Sequence, residues 1–274
     1  MKRILTAISI VMASMSLNAQ DLTILHVNYT HSHIDPQRSG DYKGRGGVIE
    51  QAAYIDSVRC ADGKRNVLLV HAGDFSQGTS YFTELGGNIE IDVLNALRFD
   101  VVTLGNHEFD NGIDTLAARL HEATFKVVCT NYEVSGTPLE DVVKKTVIFS
   151  RAGWKIGVIG LGVNPEGLIL KSNFGNVQYL EPIAVANHYA DSLKQHCGCD
   201  VVVALSHLGS AYDSENTEPC DESLAKNSRS IDIIMGGHTH KQVCKKCVNL
   251  NGDSVLLMQS GKSGAYLGKI KLTK

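Results

Sequence analysis

This sequence of 274 residues has little excess charge of either sign: 26 Lys and Arg stand against 29 Asp and Glu, for a net charge of −3 at pH 7. That balance excludes the basic footprint by which proteins hold nucleic acid or anionic membrane surfaces. Long hydrophobic runs are scarce as well. The longest, ILTAISIVMASMSL at 4–17, has 14 residues, short of the ~20 that cross a bilayer. The chain also lacks a low-complexity linker, an internal repeat and any break in composition, so nothing divides it into two domains.

What is there begins with the frame around that early run: Lys2 and Arg3 before it, and the small Ala19 after it. A basic start, an apolar middle and a small-residue exit are the layout of a secretory signal peptide. The pattern predicts export to the periplasm or beyond the cell, with 1–19 removed and 20–274 forming one domain. The competing reading of these residues is a buried or membrane-spanning helix. All seven cysteines (60, 129, 197, 199, 220, 244 and 247) lie beyond this segment, where an exported chain meets an oxidising compartment. CGC at 197–199 encloses one residue, whereas each cysteine pair of a zinc ribbon encloses two or more. Local disulfides, a clip at Cys220, or thiols with no role remain open, because spacing does not fix connectivity.

At 43% hydrophobic and 20% charged residues, the chain suffices for a core of ordinary globular size. Short aliphatic runs alternate with amphipathic ones. The segments 22–28, 66–74 and 101–110 read as strands, with helices at 46–60, 88–99 and 113–123. A second series follows: helix 181–196, strand 201–209, helix 221–228 and strand 231–240. This alternation predicts a mostly parallel α/β architecture. A strand at 126–133, a hairpin joining 146–150 to 155–162, and two closing strands around a glycine-rich turn within 254–272 add antiparallel pieces at the edges or in a second sheet.

Strand after strand runs into a polar cluster at its C-terminal end: NYTHSH, HAGD, GNHEFD, SHLG and GGHTH. Open α/β sheets bind ligands beyond the carboxyl ends of their strands, so five clusters delivered to one edge predict one site. Singly they say little, since a lone His71 or His207 is more often a hydrogen-bonded loop residue. His121, His188 and His196 fall on helical patterns and are read as solvated or packed. Together, His, Asp and Asn suit zinc, manganese, iron or cobalt. In GGHTH, an extended chain would point His238 and His240 the same way with Cα atoms ~6.6 Å apart, a spacing that suits two ions ~3.5–4 Å apart with one imidazole each. In GNHEFD, Asn106 offers an amide oxygen to a metal while His107 points elsewhere. With Asp110 three residues on to fix its tautomer, His107 has what general acid catalysis requires. Asp110 also reads as the N-cap of the next helix.

These blocks, in this order, resemble the catalytic domain of 5'-nucleotidases within the calcineurin-like metallophosphoesterases. The resemblance runs from LTILHVNYTHSHIDP through VLLVHAGDFSQGT, LNALRFDVVTLGNHEFDNG, KIGVIGL and VVVALSHLGS to IDIIMGGHTH, and on to the closing AYLGKIKL. It implies a four-layer α-β-β-α sandwich with two central mixed sheets and a pair of divalent ions, Zn, Mn, Fe or Co, that hydrolyses phosphate monoesters, foremost nucleoside 5'-phosphates. By the same resemblance Asp74 bridges both ions, Asn106, His207 and His238 complete one, and His31 and His240 belong to the other. A hydroxide shared by the ions would be the nucleophile, with His107 assisting the leaving group and Asp110 its partner.

Two departures stand out. The family's first block reads Asp-x-His, and Tyr29 stands where that Asp ligand belongs. A tyrosinate ligand, with an ordinary pKa near 10, demands a strong Lewis acid such as ferric iron; His33 and Asp35 are the other nearby donors. Intact matches at Asp74, Asn106, His207, His238 and His240 favour an enzyme with a weakened or altered first site over a catalytically silent homologue that binds phosphorylated ligands or a partner. Phosphodiester hydrolysis is the runner-up reaction. Second, family members continue into a domain that stacks the nucleobase, and the residues up to Lys274 offer no such platform. The expectation is loose selectivity among phosphate esters, or a separate polypeptide that completes the nucleotide site.

Overall fold

The computed structural model describes residues 21–213 and 217–274; the expected export signal at 1–19 lies outside them. In chain order the elements are β1 (Leu22–Val27), α1 (Val48–Asp62), β2 (Val67–His71), α2 (Ser80–Leu85), α3 (Asn88–Ala96), β3 (Val101–Val102), α4 (Ile113–Leu120), β4 (Lys126–Val128), β5 (Tyr132–Glu133) and β6 (Val143–Lys144). There follow β7 (Thr146–Arg151), β8 (Trp154–Leu161), α5 (Lys171–Phe174), β9 (Gln178–Tyr179), α6 (Pro182–Gln195), β10 (Val201–Ser206), α7 (Asp221–Asn227), β11 (Ile233–Gly236), β12 (Gln242–Val248), β13 (Ser254–Ser260) and β14 (Gly268–Leu272).

Two six-stranded mixed sheets result, ordered β14-β1-β2-β3-β4-β6 and β12-β13-β11-β10-β8-β7. Their inner strands pair in parallel, and the antiparallel pairs sit at the edges: β1 with β14, β12 with β13, β7 with β8. The inner strands are apolar on both faces because both faces are covered. Leu22, Ile24, Leu68 and Val70 of the first sheet meet Val158, Val203, Leu205 and Met235 of the second in a central layer. On the outer face of the first sheet, Leu25, Val27 and Leu69 pack under α1, α3 and α4; on that of the second, Ala204 and Ile234 pack under α6 and α7. The layers are therefore helix, sheet, sheet, helix, as the resemblance implied. Among the described residues, no helix is long and apolar enough to cross a membrane.

One reading of the sequence needs correction. The closing strands do not pair with each other: β13 lies inside the second sheet, and the chain then crosses to the first, where β14 covers the edge of β1. CKKC is part of an edge strand, β12, with Cys244 opposite Met258 and Cys247 opposite Val255. All seven cysteines are free thiols in this structure.

His26 is fully buried on β1, with the Gly236 backbone as a weak polar partner. Burial opposes its charge and pulls its pKa down to about 3. Below the ordinary pKa of 6.5, the unfolded chain takes up a proton that the folded chain refuses, so stability falls as pH falls from 6.5 towards 3. Urea titrations at pH 7 and pH 5 should show that His26→Leu removes about 2 kcal/mol of the loss between those two conditions.

Candidate metal centre

The loops after β1, β2, β3, β10 and β11 meet at one edge of the sandwich, where the sequence clusters predict a site. Beyond the sheet, the first two loops keep running side by side: the amides of Tyr29, His31 and Ser32 donate to the carbonyls of Gly73, Asp74 and Phe75 at 3.0, 3.1 and 3.0 Å. Tyr29, His31, Asp74, His238 and His240 all sit at positive φ, between 45° and 69°. Each such residue costs roughly 1–3 kcal/mol of backbone strain and persists only where its surroundings impose it. This also corrects the reading of GGHTH as extended chain. His238 and His240 diverge through left-handed turns, His238 towards His207, with ring centroids 5.3 Å apart, and His240 towards Tyr29.

Asp74 is the centre of the arrangement. Its Oδ1 accepts the amide of His107 at 3.0 Å, while Oδ2 lies 2.9 Å from His207 Nε2 and 3.7 Å from His31 Nε2. Apart from this pairing with each other, Asp74 Oδ2 and His207 Nε2 have no hydrogen-bond partner among the described residues, and both ring nitrogens of His31 and Asn106 Oδ1 are buried without one. His207 Nδ1 is 2.7 Å from the Ala72 carbonyl, which must accept its proton, so in the neutral ring the Nε2 lone pair faces the carboxylate. Two acceptors aimed at one spot suit a cation between them. A proton can take the cation's place. Burial disfavours charge on His207, yet the Asp74 carboxylate outweighs it and lifts the pKa to about 8; burial also favours the acid form of Asp74, yet the imidazoles around it hold the carboxyl well below its usual range. Burial keeps His31 neutral, with a pKa pulled down to about 3, and His238 and His240 likewise at about 4, the state in which imidazole binds metal.

Two groups of donors share Asp74: Asp74, His207 and His238, and Asp74, His31 and His107, each with donor atoms within 4.8 Å of one another. The first matches three of the four expected ligands, and the fourth, Asn106, is buried with Oδ1 unpartnered among the described residues. The second differs, because the Tyr29 ring stands between His31 and His240. His33 and Asp35 do not compensate. His33 Nδ1 bonds the Thr30 carbonyl at 2.9 Å, and Asp35 pairs with Arg38 at 3.0 Å and accepts from the Tyr81 hydroxyl at 3.4 Å.

His107 stands at the rim with about a third of its side chain exposed, and its Nδ1 is 2.9 Å from Asp110 Oδ2. Burial works against its charge, but Asp110 and then Asp74 prevail and raise its pKa. Asp110 is not a helix cap: Gly112 holds that position before α4.

The sequence of residues 22–242 matches the family model of the calcineurin-like phosphoesterases. The chain belongs to that family. Among its relatives, the NAD 5'-nucleotidase of Haemophilus influenzae is 30% identical over 94% of this chain, and the probable 5'-nucleotidase of Treponema pallidum 29% identical over 92%. The chain spans 45% of the length of each. The crystal structure of a 5'-nucleotidase precursor from Thermus thermophilus superposes with a TM-score of 0.79 at 30% identity, covering 92% of this chain and 51% of that one.

Several residues that support this phosphoesterase site were not singled out in the sequence. Glu108 is buried and bonds four backbone amides, those of Phe75 and Ser76 through Oε1 and of Asp74 and Gly105 through Oε2, at 2.6–3.0 Å. It thereby ties the loop that carries Asp74 to the loop that carries Asn106. Its burial and the Asp74 charge raise its pKa to about 7. A Cβ at Gly105 would collide with Asp74 Oδ1, and one at Gly73 would come within 2.7 Å of His207 Nδ1, so these glycines are what lets the ligands close in. Asn28 joins the two sheets, donating to the Gly261 carbonyl and accepting the Ser260 amide, both at 2.8 Å. Gln259 Nε2 donates to the Gly237 carbonyl at 2.8 Å, and Thr239 Oγ1 to Gln259 Oε1 at 3.0 Å, which steadies the His238–His240 turn.

Proposed function

We propose that this chain is a metal-dependent hydrolase of phosphate monoesters, with nucleoside 5'-phosphates as its substrate class, and that residues 1–19 direct its export. The observation that carries the reading is the convergence of buried Asp74 Oδ2, Asn106 Oδ1 and His207 Nε2 beside the His107–Asp110 pair. The names of the relatives, 5'-nucleotidases among them, support the substrate class.

Asp74, Asn106, His207 and His238 would hold a divalent ion, and His31 and His240 flank a second position. Such ions supply Lewis-acid charge to the oxygens of the transferring phosphoryl group. The chain's own part is acid catalysis and placement. Asp110 takes the Nδ1 side of His107 and so leaves Nε2–H as the proton to be given. As a water oxygen bonds to phosphorus and the bond from phosphorus to the nucleoside oxygen breaks, that proton passes to the departing oxygen. Glu108 keeps the Asp74 and Asn106 loops in register while this happens.

Incubation of the purified protein with nucleoside 5'-monophosphates and manganese, zinc or cobalt should release inorganic phosphate, stop when the metal is chelated, and resume when it is restored. Tyr29 favours a second reading, a phosphate-binding protein without turnover. Metal bound with no phosphate released, for any of the monophosphates, would establish that reading and sink the first.

A further inference from the structure

The two halves of the centre are unequal. The Tyr29 ring centroid lies 3.5 Å from that of His31 and 3.2 Å from that of His240, and those two imidazoles are 6.1 Å apart. Aromatic rings ordinarily pair at ~4.5–7 Å, so the phenol fills the gap and leaves no room between its neighbours. The backbone pins it there: the Tyr29 amide donates to Gly73 at 3.0 Å, and the Tyr29 carbonyl accepts the Ser263 amide at 2.7 Å. Across Asp74 the situation is the reverse. His207 and His238 bring their nitrogens within 4.8 Å of the carboxylate, and no ring intrudes between them among the described residues.

We infer that Tyr29 is a plug: it closes the metal position between His31 and His240 and leaves the chain with one strong divalent-ion position, at Asp74, Asn106, His207 and His238. The inference rests on the hydrolase reading only in taking the centre to be a metal site. It makes this protein a single-ion variant of an arrangement built for two.

The test is metal stoichiometry, read without any turnover assay. After equilibrium dialysis against micromolar zinc or manganese, elemental analysis should find about one ion per chain in the wild type and about two in Tyr29→Asp, since the second position then regains a carboxylate. Tyr29→Gly is the companion variant. Glycine is at ease at the φ of 54° found here, so removal of the ring leaves the fold intact, and a second ion should bind with lower affinity than in Tyr29→Asp. On the wild-type background, His238→Ala should lose the single ion and His31→Ala should keep it. Two tightly held ions in the wild type, or a single ion that depends on His31 and not on His238, would overturn the plug. One ion without phosphate release would leave the plug standing and defeat the hydrolase reading; two ions with brisk release would do the opposite.

Discussion

Asp74→Asn is expected to abolish both metal content and phosphate release, with kcat/KM falling by more than ~10³-fold, while the circular dichroism spectrum stays native. The reason lies in how the carboxylate is divided. Oδ1 is committed to the His107 amide at 3.0 Å, and an asparagine amide oxygen keeps that bond. Oδ2 is the oxygen that faces His207 and His31, and in asparagine a donor NH2 replaces it and meets the His207 lone pair. The cation is then traded for a hydrogen bond. Asparagine also tolerates the φ of 56° at this position, as alanine does not without roughly 1–2 kcal/mol of strain. Asp74→Ala should therefore lose metal and stability together. A metal-free Asp74→Asn protein that still releases phosphate at the wild-type rate would remove the metal from the mechanism.

The second large effect is expected at His107. His107→Ala should lower turnover of nucleoside monophosphates by ~10²–10⁴-fold and leave the bound metal unchanged. The two readouts separate roles that geometry alone brings close, since His107 also comes within 4.8 Å of Asp74 and His31. A ligand lost would show in elemental analysis; an acid lost would show in the leaving group. An activated aryl phosphate, whose leaving group needs no proton, should suffer much less from His107→Ala than a nucleotide does. Asp110→Asn should produce a smaller loss of the same kind, because it weakens the pairing at Nδ1 that raises the pKa of the ring. Equal losses on both substrates would argue against proton donation.

Much of this was legible in the sequence because it depends on local patterns. Alternating aliphatic and amphipathic runs marked the βα units, and His31, Asp74, Asn106, His207, His238 and His240 stood where strands end. What was not legible is non-local or conformational. Nothing in GKSGAYLGKIKL says that β13 and β14 part company, because the choice between a hairpin and a crossover between sheets is made by which edge needs covering. Positive φ is easily foreseen at glycine, but at Tyr29, His31 and His240 it is imposed by the loops packed around them. Glu108 reads as one more charge in GNHEFD until its four amide partners are seen. Tyr29 stands out in the sequence as the changed residue, but the sequence leaves a tyrosinate ligand open, and only the positions of the flanking imidazoles show a ring wedged between them.

The division of ligands between the sheets has a consequence for order of assembly. Residues 31, 74 and 106 belong to the half of the chain that a ribosome releases early, whereas His207 and His238 emerge some hundred residues later, and β14 completes the border of β1 only near the very end. On the proposed ligand set, a cation met by the nascent chain would find half a coordination shell, and capture would await the docking of one sheet on the other.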